Sequence, residues 1–431
     1  MKISIPQAAP HVRNPGKVPS LMGTVIAALV PVTGFAIYQY GWPALNLIAL
    51  CLVSAIMFEA LCLHWMGKPI KTYLMDGSGL LTALLLALSL PPWAPWWIAV
   101  FGSGFAVLLG KQVFGGIGQN PFNPAMLARV ALLLSFPLEM TSWIAPTPLF
   151  STQAPGFLDA LQITFLESAR HSGMVDSYTS ATLLGTVKTE LGQDLGLSQI
   201  WHNSPLIFAQ FSTGWADAML LGRAPGSLGE SSTLLVASGG LYLLYQRIIN
   251  WQLPVSMLAT LTLVSTSFYL LDPESYSHPL THLTAGGVML AAFFIITDPV
   301  TSPCTTRGQL IFGAGCALLI YVIRTWGGYP EGVAFAVLLM NALTPLIDHY
   351  IRPRRYGRTL SGKPIPAPLS LRLKRLLIGF NVSRGNVNEG NVSGLNQKNL
   401  EPSPGSNSQP ATTAPARTAQ APQAKQSGEH P

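Results

Sequence analysis

The sequence predicts an all-α polytopic membrane protein, with about ten transmembrane helices in two inverted five-helix repeats separated by a long extramembrane loop. Three observations carry that prediction. Charged residues make up only 10% of the 431-residue chain and hydrophobic ones 49%, against about 25% charged in a soluble protein. The apolar residues fall in runs close to the roughly 17–25 residues that a helix needs to cross a bilayer. The first set of runs also matches the second at a constant offset.

Taken in order, Leu21–Tyr40 is the first run, interrupted by Gly41-Trp42-Pro43, and Ala44–Met66 is the second, ended by Gly67-Lys68-Pro69. Gly77–Leu90 stops at Pro91-Pro92, which cannot continue a helix. The fourth run extends from about Trp96 to Val113. Gly115-Gly116-Ile117-Gly118 then leads into Asn120-Pro121-Phe122-Asn123-Pro124. An N-cap with proline in the first turn fits that pattern, and predicts a fifth helix to about Phe136. After a polar stretch ending at Glu230, the runs Ser231–Ile248, Pro254–Leu271, Leu280–Thr297, Gln309–Thr325 and Gly332–Ile347 predict helices six to ten. The third and eighth are the shortest. The expected divisions are an N-terminus at 1–20, repeats at 21–137 and 231–348, an intervening segment at 138–230, a basic segment at 349–383 and a tail at 384–431. Within the intervening segment, Pro205–Leu221 reads as an interfacial or re-entrant piece. The tail is rich in Asn, Ser, Gln and Pro and is expected to be disordered.

The repeat rests on an offset of 211 residues. Ser20 matches Ser231, Pro43 matches Pro254, Leu52-Val53-Ser54 matches Leu263-Val264-Ser265, and Phe101-Gly102-x-Gly104 matches Phe312-Gly313-x-Gly315. An odd number of spans per half makes the halves enter the membrane in opposite senses, as in many transporters. Charge sets the orientation. Lys2, Arg13, Lys17, Lys68, Lys71, Lys111, Arg247 and Arg307 fall on one side of ten alternating spans, with the 12 Lys and Arg beyond residue 348. The positive-inside rule makes that side cytoplasmic, with both termini there and the 138–230 segment outside the cytoplasm.

The net charge of +7 is concentrated beside the last run, where it suits a lipid surface and not nucleic acid. The four cysteines, Cys51, Cys62, Cys304 and Cys316, form no CxxC pair, which argues against a disulfide framework or an iron–sulfur site. His278 and His282 share a helical spacing without a further ligand nearby, so no metal site is expected. Gly115–Gly118 follows no strand and is not a dinucleotide fingerprint.

The polar stretch contains Asp176-Ser177-Tyr178-Thr179-Ser180-Ala181-Thr182. On spacing alone this is a Ser/Thr turn capping a helix over Leu183–Leu191. It also fits Asp-x-x-Ser/Thr-Gly/Ser-Ala-Thr, the acceptor motif of flavin mononucleotide (FMN) transferases, with Ser180 in place of the commoner glycine. With Phe114–Met126, Ser227-Leu-Gly-Glu230 and Thr297-Asp-Pro-Val-Thr-Ser-Pro303, the chain over about residues 1–360 resembles the D-subunit family of the Rnf ion-translocating oxidoreductases. That family is homologous to the B subunits of the Na⁺-translocating NADH:quinone reductases. The resemblance implies a component, not catalytic alone, of a complex that couples ferredoxin/NAD redox chemistry to Na⁺ or H⁺ transport in a bacterial inner membrane. It implies FMN esterified through its phosphate to Thr182, with Asp176, Thr179, Ser180 and Ala181 as the recognition motif. The implied partners are a flavin transferase, the bilayer and the other Rnf subunits (A, B, C, E and G), and the homologue adds riboflavin as a second flavin. Such a tethered ring can pass electrons while its loop and the neighbouring helix ends orient it. Arg170, His171 and Lys188 are near enough in sequence to pair with the phosphate, or are solvated surface charges. The alternatives to the redox role are an inverted-repeat transporter or channel and a structural anchor.

Ionisable residues within predicted spans are functional candidates by default. Glu59 lies in the second run, Asp298 ends the eighth and Arg129 lies in the fifth. Glu59 and Asp298 are candidates for an ion path, with a structural Glu59–Arg129 pair or a contact to a neighbouring subunit as the alternatives for Glu59.

Overall fold

The structure, a computed structural model, describes residues 18–152, 154–166, 182–193, 196–197, 199–200 and 225–352. Among them there are helices and turns and no strand. Asp176, Thr179, Ser180 and Ala181 lie outside the described residues, as do Arg170, His171, Pro205–Leu221 and everything from residue 353 on.

The first helix, α1, spans Val18–Trp65 and is broken at Gly41, whose φ of 71° and ψ of −157° suit glycine alone. The first two predicted runs are therefore two helices meeting at a sharp bend, with Pro43 just beyond it. The short α2 (Ile70–Leu74) and α3 (Ser78–Ser89) are joined through a left-handed Gly77. Next, α4 (Trp96–Val107) passes into a π-helical turn over Leu108–Gln112. The fifth helix, α5 (Pro124–Ser135), starts as its sequence predicts. Asn123 Oδ1 accepts from the N–H groups of Ala125 and Met126 at 3.1 and 3.3 Å, and Pro124 holds the first turn.

Between the halves lie α6 (Pro137–Met140), α7 (Phe157–Phe165) and α8 (Leu183–Leu191). A 3₁₀ turn over Leu228–Glu230 then leads into α9 (Thr233–Tyr245) and α10 (Gln252–Leu271). The predicted eighth run is not one helix. It divides into α11 (Pro279–Thr284) and α12 (Val288–Leu290), the latter extended by a π turn over Ala291–Ile295. The break is at Gly286, with φ 73°. The last helices are α13 (Thr306–Trp326) and α14 (Val333–Tyr350).

Among the described residues four helices are long and apolar enough to cross a membrane: α1, α10, α13 and α14. Shorter apolar helices, α3, α5 and α9, pack among them. α1 packs on α3 and α4, α10 on α13, α4 on α5 and α13 on α14, while α1 meets α9 and α5 meets α14. The interior is closed by residues such as Leu29, Leu47, Leu86, Ile98, Met126 and Phe312. Many large apolar residues instead face outward on the long helices, among them Met57, Leu61, Leu263, Val322 and Leu339. That outward apolar surface suits lipid and not water, and marks a multi-pass membrane protein. Lipid offers no hydrophobic gain for helix association, so close approach has to supply the attraction. The repeated glycines do this. A Cβ on Gly104 would lie 2.9 Å from the Phe58 ring, and one on Gly315 would lie 2.5 Å from Met340.

Candidate functional site

Thr182 is the N-cap of α8. Its backbone is extended (φ −67°, ψ 152°), and its Oγ1 accepts from the Gly185 N–H at 3.1 Å. The capping role expected from spacing is thus present, on a half-buried residue whose hydroxyl is the predicted acceptor.

From Thr182, α8 carries Lys188 onto the end of α13. Lys188 Nζ donates to the carbonyls of Ile323, Arg324 and Tyr329 at 3.3, 3.1 and 3.0 Å. The end of a helix carries the negative end of its dipole, so an ammonium is favoured there. The sequence offers Lys188 as a partner for a phosphate; here its ammonium is bonded to backbone. Burial pulls its pKa below the usual lysine value.

The same logic recurs one layer deeper. Arg324, buried in the last turn of α13, donates from Nη1 to the His282 carbonyl at 2.7 Å and from Nη2 to the Ala285 carbonyl at 2.8 Å. Those carbonyls are freed where the chain leaves α11 at Gly286. A Cβ on Gly286 would lie 2.5 Å from Arg324 Nη2, so the guanidinium needs that glycine. On the far side of the break, Glu331 Oε1 accepts from the Gly287 N–H at 2.5 Å, and its Oε2 accepts from Arg129 Nη2 at 2.7 Å. Glu230 lies near Glu331 and accepts from Ser227 Oγ at 2.6 Å. Burial, and then the Glu331 charge, push the Glu230 carboxyl up to about 7 against the opposing pull of Ser227, Arg129 and Arg324.

Between α8 and this layer is a cavity of about 440 Å³, walled by Val187, Lys188, Tyr276, His282, Arg324 and Trp326. His282 Nδ1 and Arg324 Nε are buried there without a hydrogen-bond partner among the described residues. Aromatic contacts extend the wall, with Phe268 5.1 Å from Tyr276 and 5.4 Å from Trp326, centroid to centroid. Aromatic faces, positive charge and unsatisfied polar nitrogens suit a flat ring that bears hydrogen-bond acceptors. Arg324 and Glu331 join the site without a motif in the sequence to announce them, and Glu230 with no more than its place in Ser227-Leu-Gly-Glu230. The available signal was that Arg129 and Arg324 lie inside apolar runs and are not among the cations flanking them on the basic side.

A second cluster is built around Glu59. The carboxylate does not pair with Arg129, which is held by Glu331; it forms a buried ion pair with Lys111. Gln112 Nε2 donates to Glu59 Oε1 at 3.1 Å, and Lys111 also donates to Ser78 Oγ at 2.6 Å. The sequence reads Lys111 as a flanking cation at the membrane edge, yet it is only 3% exposed. The π turn over Leu108–Gln112 explains the difference: the locally widened helix turns both Lys111 and Gln112 toward Glu59. Gly79 makes room for the carboxylate, since a Cβ there would collide with Glu59 Oε2. Asp298 is some way along the chain but faces the same region. Its carboxylate accepts from the Val300 N–H and Thr301 Oγ1 at 3.1 and 3.3 Å, and it joins Lys111, Ser78, Asn120 and Thr297 around a cavity of about 80 Å³.

The sequence profile of the NQR2, RnfD, RnfE family matches residues 5–357. A protein from Halorhodospira halophila, described as the D subunit of an ion-translocating oxidoreductase complex, is 52% identical over 360 residues, covering 83% of this chain and 97% of that protein. The protein of the same description from Stutzerimonas stutzeri is 51% identical over 347 residues, covering 80% and 94%. One from Escherichia coli is 43% identical over 357 residues, covering 81% and 97%. With a profile match over most of its length and relatives aligned almost end to end, the chain belongs to the NQR2, RnfD, RnfE family.

Proposed function

We propose that this chain is the D-type membrane component of an ion-translocating oxidoreductase complex in a bacterial inner membrane, that it carries FMN esterified to Thr182, and that it relays electrons between partner subunits. Its relatives are described as subunits of such a complex. The observation that carries the flavin reading is the placement of Thr182 at the head of a helix whose later turns wall a cationic, aromatic cavity.

The residues present fit the group. Thr182 supplies the acceptor hydroxyl, and His282 Nδ1 and Arg324 Nε supply buried polar atoms without partners. Tyr276 and Trp326 supply flat faces, and Lys188 and Arg324 supply positive charge. A bound FMN would contribute an electron carrier at this position. The chain's own part is to hold it, wall off water with Val187, Tyr276 and Trp326, and set its electrostatic surroundings. Asp176, Thr179, Ser180 and Ala181 are proposed as the motif that the transferase reads, and Glu59 and Asp298 as candidates for an ion path.

The architecture we propose is ten spans in two inverted repeats, with the termini cytoplasmic and Thr182 on the other side. Both halves support it with the same order of elements: a short helix, a left-handed glycine (Gly77, Gly286) and then a further helix. The helix carrying Phe101-Gly102-x-Gly104, α4, packs on α1 and α5, and the one carrying Phe312-Gly313-x-Gly315, α13, packs on α10 and α14.

In a denaturing gel, the protein expressed with its transferase should fluoresce as a flavoprotein, and Thr182→Ala should be dark. A dark wild-type band would leave the transporter and anchor readings standing instead.

A further inference from the structure

We propose that Lys188 is the positioning residue of the flavin site: seated on the end of α13, it holds α8 over the cavity and aims a positive charge at its contents. This rests on the reading of Thr182 as the flavin acceptor.

The geometry has three parts. Three carbonyls from two neighbouring stretches, Ile323 and Arg324 in the last turn of α13 and Tyr329 beyond it, converge on one ammonium. Three charge-assisted bonds from a single side chain make a rigid joint. Among the described residues no carboxylate accepts from Lys188, and its ammonium meets carbonyl dipoles. The joint is also not at the acceptor oxygen. Lys188 lies six residues on, about 9 Å along the helix axis and well round from the first turn, and its side chain walls the cavity.

The joint has a second stage. The residue whose carbonyl Lys188 grips, Arg324, itself grips the carbonyls of His282 and Ala285 beside Gly286. The orientation of α8 is thereby tied to the break between α11 and α12. A flavin gains negative charge on reduction, and a nearby ammonium favours that form. Lys188 therefore raises the reduction potential of the tethered flavin as well as placing it.

The test compares the whole complex, made with its transferase, as wild type, Lys188→Met, Lys188→Arg and Thr182→Ala. Redox titration, with the Thr182→Ala spectrum subtracted, reads this flavin alone. Lys188→Met should keep a fluorescent band and lower the potential by the equivalent of at least tenfold in the redox equilibrium, about 59 mV for one electron. Lys188→Arg, which keeps the charge and the carbonyl bonds, should restore it. In protein made without the transferase, hydrogen exchange over residues 183–191 should be at least tenfold faster in Lys188→Met. A fluorescent Lys188→Met with unchanged potential overturns the proposal. If that variant is dark while wild type is bright, unchanged exchange overturns the proposal and faster exchange supports it. A dark wild-type band removes the flavin reading and this proposal with it.

Discussion

The two buried charge clusters solve the same problem in opposite ways. Around Glu59 a cation meets a carboxylate, both on the inner faces of helices, and side-chain partners complete the set. Around Arg324 and Lys188 the cations meet backbone carbonyls, at places where a helix ends or breaks. The first arrangement joins side chains and leaves the backbone regular apart from one π turn. The second uses charge to hold irregular backbone, which membrane proteins tolerate only where the freed groups find partners inside the protein. Buried charge can therefore be structural in two senses, and mutation should tell them apart.

The largest effect should come from splitting the ion pair. Glu59→Leu leaves Lys111 buried and uncompensated and should cost about 3–5 kcal/mol, whereas Glu59→Leu combined with Lys111→Met should recover most of it. Thermal unfolding of the detergent-purified protein measures both, and a double variant no better than the single would erase the distinction. Arg324→Met removes charge-assisted bonds worth about 1.5–3 kcal/mol. No single side-chain replacement should rescue it, because its acceptors are backbone. Limited proteolysis should reveal new cutting near Gly286, and an uncut variant would count against the role of Arg324 in holding the break.

A smaller effect is expected for Thr182→Ala in protein lacking flavin, where only the cap is lost. About 1 kcal/mol of local stability over 183–191 should disappear, read by hydrogen exchange. An effect of another kind, on pH dependence, is expected at the cluster around Arg324 and Glu331. Burial raises the Glu230 carboxyl from an ordinary 4.5 to about 7. Between those values the folded protein keeps a proton that the unfolded chain has released, so stability should fall as pH rises through that window. Glu230→Gln should flatten the slope, and a slope unchanged in the variant would assign the titration elsewhere.

Much of the helix pattern was legible because glycine and proline punctuate apolar runs. Gly41 breaks α1 where the sequence places a boundary, and Asn123-Pro124 opens α5 as its capping pattern implies. The eighth run was legible as apolar but not as broken. Its Gly286-Gly287 pair permits a helix or a break, and Arg324, 38 positions further along the sequence, settles which. Lys111 departs from its expected place for a similar reason. A lysine at the end of an apolar run ordinarily reaches for the membrane edge, and only Glu59 and the π turn draw it inward. The sequence marks Thr182 both as a helix cap and as a flavin acceptor. The cap is there, and the motif preceding it lies outside the described residues.

The bond from the Gly185 N–H to Thr182 Oγ1 bears on timing. If that oxygen receives the ester, the folded first turn of α8 already occupies it. A modifying enzyme must then arrive before the turn closes or wait for it to fray, and afterwards the phosphate can take over the freed N–H. Maturation would then be gated by the opening of a single helical turn. Variants that loosen that turn should be labelled faster, and those that tighten it more slowly.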